Sequence, residues 1–171
     1  MRKFILSTIL AMVAITFAHG QGKGYKGMVD AGWILVSEKI AFQATTIHGW
    51  QFNPYLFVGG GAGVNYYSNK KSGGDGASGV LIPVFADVRG YVIPKKISPY
   101  GEVKIGASIP ITDWFSTSPY VAPALGCRFG LSSDWAIDVA VEYVLQKKMR
   151  NTVGNGEIST GGLCLKLGVE F

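Results

Sequence analysis

Along this chain, apolar and polar positions alternate with a period of two. In the last run, Ser159 to Phe171, Leu163, Leu165, Leu167, Val169 and Phe171 occupy one parity and Cys164, Lys166, Gly168 and Glu170 the other. A β-strand sends successive side chains to opposite faces, so this segment has one face suited to hydrocarbon and one carrying a cation and an anion. Seven earlier runs repeat the pattern. The first sets Val29, Ala31, Trp33 and Leu35 against Met28, Asp30, Gly32 and Ile34. The second, Ala41 to Phe52, alternates less cleanly and is broken by Asn53-Pro54, a turn dipeptide that a paired strand does not continue through.

The third run, Tyr55 to Tyr67, opposes Leu56, Val58, Ala62, Val64 and Tyr66 to Phe57, Gly59, Gly61, Gly63 and Asn65. The fourth, Gly79 to Ile93, opposes Val80, Ile82, Val84, Ala86 and Val88 to Asp87, Arg89 and Tyr91, and the Pro94 to Pro99 segment closes it. The fifth, Tyr100 to Ile109, places Glu102 and Lys104 opposite Val103, Ile105 and Ile109. The sixth, Pro119 to Leu131, and the seventh, Trp135 to Gln146, place Tyr120 and Arg128, then Asp138 and Glu142, opposite aliphatic neighbours.

Eight such runs predict an all-β chain: an eight-stranded antiparallel up-and-down transmembrane β-barrel. Hydrocarbon offers no partner to backbone N–H and C=O groups, so an open sheet would leave two unsatisfied edges, and the eighth run must pair with the first. Runs of about 10 to 13 residues are long enough to cross the apolar layer when tilted. Connections after runs two, four and six are short and those after three, five and seven longer, the asymmetry between periplasmic turns and outer loops of such barrels. The short Ser37-Glu38-Lys39 connection breaks that rule.

The amino terminus fits export. Met1-Arg2-Lys3 precedes an uncharged stretch from Phe4 to Phe17 and then Ala18-His19-Gly20, which predicts a signal peptide over residues 1–20 cleaved before Gln21, with the barrel over 21–171. Removing Arg2 and Lys3 takes two charges off a formal +5, too small a balance to suggest nucleic acid. Twenty-four Gly, eight Tyr and only 16% charged residues agree with a turn-rich β protein.

With the aliphatic faces outward, the interior collects Asp30, Asp87, Arg89, Glu102, Lys104, Arg128, Asp138, Glu142, Lys166 and Glu170. An eight-stranded barrel is narrow enough for side chains to fill it, and poorly solvated charges need partners. Hairpin geometry predicts Arg128 with Asp138, Arg89 with Glu102, Lys104 with Asp87, and Lys166 near Asp138 and Glu142. The expected result is a cross-linked polar plug. A two-residue turn at Asn53-Pro54 would bring His48 opposite Gly59 and Trp50 opposite Phe57, laying rings over bare backbone inside the barrel. The alternative is that these glycines only ease curvature.

Candidate chemistry is sparse. Cys127 and Cys164 face opposite ways on runs separated by another strand, roughly 9 to 10 Å apart, where a disulfide needs Cα atoms within about 7 Å. No metal-ligand spacing and no cofactor motif occurs, and Gly59 to Gly63 lacks the following helix of a phosphate loop. His48 is the one His after residue 20, and no Gly-x-Ser-x-Gly elbow accompanies it, so a packed imidazole is expected and no catalytic residue is assigned. Trp33, Tyr66, Trp135, Tyr143 and Phe171 suit membrane interfaces. Lys70, Lys71, Lys147, Lys148 and Arg150 lie in outer connections, where they can meet anionic lipopolysaccharide.

The Asn53-Pro54-Tyr55-Leu56-Phe57-Val58-Gly59 segment, the Pro99-Tyr100-Gly101-Glu102 start and the closing Leu165 to Phe171 segment resemble the outer-membrane β-barrel-domain family, loosely called porin-like. The resemblance spans Tyr25 to Phe171. It implies insertion into the outer membrane of a Gram-negative bacterium, with Leu165, Leu167, Val169 and Phe171 read by the barrel assembly machinery, and it carries over no catalytic residue. The function expected is a monomeric, non-enzymatic envelope or surface-contact protein. The rivals are a small-solute channel, a lipid-modifying enzyme relying on His48 or a nearby Ser, and a soluble lipocalin-type barrel, whose charges would lie on the other face.

Overall fold

A computed structural model describes residues 24–36, 39–67, 79–93, 95–111, 117–132, 134–146, 149–150, 157–158 and 161–171. The strands are β1 (Tyr25–Val36), β2 (Lys39–Asn53), β3 (Leu56–Tyr67), β4 (Gly79–Tyr91), β5 (Ile97–Pro110), β6 (Ser118–Gly130), β7 (Ala136–Gln146), β8 (Met149–Arg150), β9 (Glu157–Ile158) and β10 (Gly162–Glu170). The eight long strands close a barrel in the order β1-β10-β7-β6-β5-β4-β3-β2, every pair antiparallel. β8 and β9 form a small hairpin of their own. The expected signal peptide, Lys70, Lys71, Lys147 and Lys148 lie outside the described residues, as does the side chain of Arg150.

Closure rests on β10. Its register with β1 runs from Met28 opposite Glu170 to Leu35 opposite Leu163, and beyond it Gly27 and Phe171 exchange both backbone hydrogen bonds at 2.7 and 2.8 Å. No long strand is left with an open edge, which satisfies the condition that hydrocarbon imposes on backbone polar groups.

The alternation is expressed as predicted. Leu165 and Val139 are 50% and 49% exposed, whereas Lys166 and Asp138 are 5% and 2% exposed. Val29, Trp33, Val84, Val88, Val103, Ile105, Leu125, Val141, Tyr143 and Leu167 likewise face out. A continuous apolar belt around a small protein far exceeds the few hundred Å² of apolar patch that soluble monomers tolerate. This excludes the lipocalin-type arrangement.

Two local expectations fail for physical reasons. A register irregularity lies between Gln51 and Asn53, so His48 sits opposite Gly60 and Trp50 opposite Val58, each one place from the expected partner. A one-residue slip reverses every facing. Trp50 is therefore exposed and His48 half-buried on the outer surface, and the inward placement of these two rings is wrong. The bare backbone of β3 is used by other rings: a Cβ on Gly59 would come within 2.9 Å of Phe57, and one on Gly61 within 2.8 Å of Phe85. The second difference is at strand starts. β5 begins at Ile97 and passes through Pro99, and β1 begins at Tyr25, so Lys26 belongs to the barrel.

Candidate functional site

Because Asp30, Asp87, Arg89, Glu102, Lys104, Asp138, Glu142, Lys166 and Glu170 share the inward parity of their strands, all nine are buried, and Arg128 is mostly so. At mid-barrel, Lys166 Nζ lies 2.9 Å from Glu142, 3.1 Å from Glu102 and 3.5 Å from Asp30. Lys104 Nζ meets the same three carboxylates at 3.0 Å from Glu142, 3.7 Å from Glu102 and 3.8 Å from Asp30. Two ammonium groups thus share three carboxylates contributed by β1, β5 and β7. Space for Asp30 comes from Gly168 directly opposite it, whose missing side chain would collide with that carboxylate.

Toward the end that carries the short turns, Arg89 bonds Glu102 at 3.2 Å, lies 3.4 Å from Asp138, and stacks its guanidinium 4.3 Å from the Tyr100 ring centroid. Next comes Glu170. It accepts from Arg128 Nε at 3.0 Å and Nη2 at 2.9 Å, from Tyr91 at 3.3 Å, and from Lys26. Toward the other end, Gln43 donates to Tyr120 at 3.1 Å and to Glu142 at 3.2 Å, and the Cys164 thiol donates to Gln43 at 3.2 Å. Beyond these polar groups, Ile34, Ala41, Tyr67, Leu81 and Val144 form a buried apolar layer.

Strand register was read correctly more often than side-chain pairing. Arg89 is opposite Glu102 and bonded to it. Arg128 is opposite Asp138, yet its guanidinium goes to Glu170, and Asp138 answers Arg89 instead. Lys104 is level with Asp87, but its carboxylate contacts are Glu142, Glu102 and Asp30, and neither Asp87 oxygen meets a hydrogen-bond donor. Lys166 reaches Glu142 as expected, with Glu102 and Asp30 in place of Asp138. Long side chains in a narrow lumen span to strands that are not neighbours, which ladder geometry does not foresee. Lys26 and Gln43 were missed, and Tyr91 and Tyr120, although read on the inward parity, were not foreseen as members of the network. The parity of Lys26, shared with Met28 and Asp30, was the available signal.

On the outer surface, His48 accepts or donates at both ring nitrogens: Nδ1 to the Tyr25 hydroxyl at 2.7 Å and Nε2 to the Thr46 hydroxyl at 3.0 Å. Tyr25 also stacks on His48 and meets Trp50 edge-on. Cys127 and Cys164 are free. Among the described residues no cluster of His, Cys, Asp and Glu is arranged to hold a metal ion.

Several solved structures share this barrel fold. Neisserial surface protein A aligns over 85% of this chain and 94% of its own, with a TM-score of 0.59 at 14% identity. The outer membrane protein OprG from Pseudomonas aeruginosa aligns over 89% and 98%, with a TM-score of 0.56 at 13% identity. The chain has the fold of the small outer-membrane β-barrels. The outer membrane enzyme PagL shares this barrel architecture, over 84% of this chain and 98% of its own, with a TM-score of 0.51 at 12% identity. No protein-family model and no curated protein sequence matches the chain. A small outer-membrane barrel of this kind is an architecture that hosts different activities, so its role must be argued from side chains.

Proposed function

We propose that this barrel is a monomeric, non-conducting and non-enzymatic integral protein of the bacterial outer membrane, contributing envelope structure or surface contacts. The observation that carries the reading is the interior. Arg89, Lys104, Glu102 and Glu142, contributed by β4, β5 and β7, are fully or almost fully buried, and the apolar layer at Ile34, Tyr67 and Val144 lies beyond them. A hydrated ion crossing this lumen would have to separate paired charges in a poorly solvated space, which costs several kcal/mol per ion. Planar bilayers containing the refolded barrel are expected to stay electrically silent; a stable, large conductance would overturn the reading and favour the channel. Surface contacts would fall to the outer connections, where Lys70, Lys71, Lys147, Lys148 and Arg150 supply positive charge for lipopolysaccharide. The aliphatic terminal run ending at Phe171 would be presented to the assembly machinery.

The rival supported by a specific observation is lipid modification. Thr46, His48 and Tyr25 form a chain of hydroxyl, imidazole and phenol on the membrane-facing surface, the order of a nucleophile, its base and an orienting group. The third member is a phenol, not a carboxylate, and both ring nitrogens are satisfied within one strand pair, which supports a structural role in the interfacial aromatic belt. Phospholipid and lipopolysaccharide incubated with the barrel should be recovered unchanged. Release of an acyl chain that His48→Gln abolishes would establish the enzyme.

A further inference from the structure

At the end of the barrel that carries the short turns, a cavity of about 220 Å³ opens between Lys26, Gln51, Pro54, Tyr91, Lys95, Ser98 and Arg128. Three cations line it and no carboxylate does. The carboxylate that partners two of them, Glu170, is 2% exposed and receives Lys26, both Arg128 nitrogens and the Tyr91 hydroxyl. That anion is saturated. An ammonium has three donors and a guanidinium five, about twice the roughly four acceptor positions of one carboxylate. Lys26 and Arg128 keep 24% and 17% of their side-chain surface exposed, so donors remain accessible. Lys95 is exposed and makes no ion pair among the described residues. Three cations thus meet at this mouth, and Glu170 is the carboxylate that two of them bond.

We propose that this mouth is a binding site for a phosphate monoester. Its charge of about −1.5 to −2 complements a lining of three cations and no carboxylate. A guanidinium already held by Glu170 is a rigid fork that presents its remaining face without further loss of freedom. The Gln51 amide gives one N–H to the Asn53 carbonyl and keeps a second for the rim, while the Tyr91 and Ser98 hydroxyl protons are held by Glu170 and the Ile93 carbonyl. The cavity holds the volume of about seven liquid waters, enough for a phosphate with a short substituent. The short-turn end faces the periplasm in barrels of this kind, so the ligand arrives either as a soluble ester or as the headgroup of an inner-leaflet lipid.

The test uses the full-length barrel in zwitterionic nanodiscs at constant ionic strength. One arm titrates glycerol 3-phosphate and follows backbone amide shifts; the other incorporates phosphatidic acid. Saturable shifts centred on Lys26, Lys95 and Arg128, with a dissociation constant on the order of millimolar, are expected in one of the arms, and which arm it is names the source. Lys95→Gln, an exposed turn residue whose loss leaves the plug intact, should weaken binding about tenfold. Lys96→Gln, exposed in the same turn but outside the cavity lining, should leave it unchanged. Failure to saturate in both arms would overturn the site, and so would equal weakening by the two variants, which would mark general charge attraction.

Discussion

Exchanging Glu142 for glutamine is expected to destabilise the folded barrel by about 3 to 5 kcal/mol, the cost of breaking a buried ion pair by removing one partner. The Glu142 carboxylate is fully buried, lies 2.9 and 3.0 Å from two equally dry ammonium groups, and accepts from Gln43. Glutamine keeps the shape and most of the hydrogen bonding but leaves Lys104 and Lys166 with Glu102 and Asp30, while Glu102 is already engaged by Arg89. Equilibrium urea unfolding in phospholipid vesicles, followed by heat-modifiable gel migration, reads the loss. Adding Lys166→Met should recover part of it, because anion and cation then leave together, and the pair should show a coupling of about 0.5 to 3 kcal/mol. A loss below about 1 kcal/mol for Glu142→Gln is the value of a solvated surface pair, and would mean the lumen is wet.

The second large effect lies on the outer face. Leu167 is 58% exposed and stands between Ala31 of β1 and Val139 of β7, between the ring of Trp33 and that of Phe171 along the barrel wall. Replacement by arginine should cost about 2 to 4 kcal/mol in a bilayer, the penalty for a cation on the lipid face near the midplane. In a water-soluble protein the same exchange at an exposed position stays within about 0.5 kcal/mol. Vesicle unfolding of Leu167→Arg against Ser132→Arg, an exposed turn position, separates the two cases. Equal stability of both variants would remove acyl chains from the surroundings of Leu167.

These two substitutions probe the one rule that was legible from residue order alone. Parity is local: Leu165 and Lys166 lie on opposite faces in any strand, and only one of those faces can meet hydrocarbon. Strand number and the β1–β10 closure follow because an edge cannot be left in lipid. The same reasoning placed all ten predicted interior charges on the inward face. It failed at His48 and Trp50 because their facing depended on a turn, and an irregularity near Phe52 slipped the register by one.

Residue order by itself determined an all-β barrel, its strand count, which face is greasy and which residues are ionic and interior, since each follows from a period of two and from hydrogen-bond satisfaction between chain neighbours. The tertiary structure alone decided the partners: Arg128 with Glu170, Asp138 with Arg89, two lysines shared among three carboxylates, and Lys26 drawn in to leave a basic mouth. Across a lumen this narrow a long side chain reaches strands remote in sequence, and the choice among nearby opposite charges depends on three-dimensional distance, which no one-dimensional period encodes.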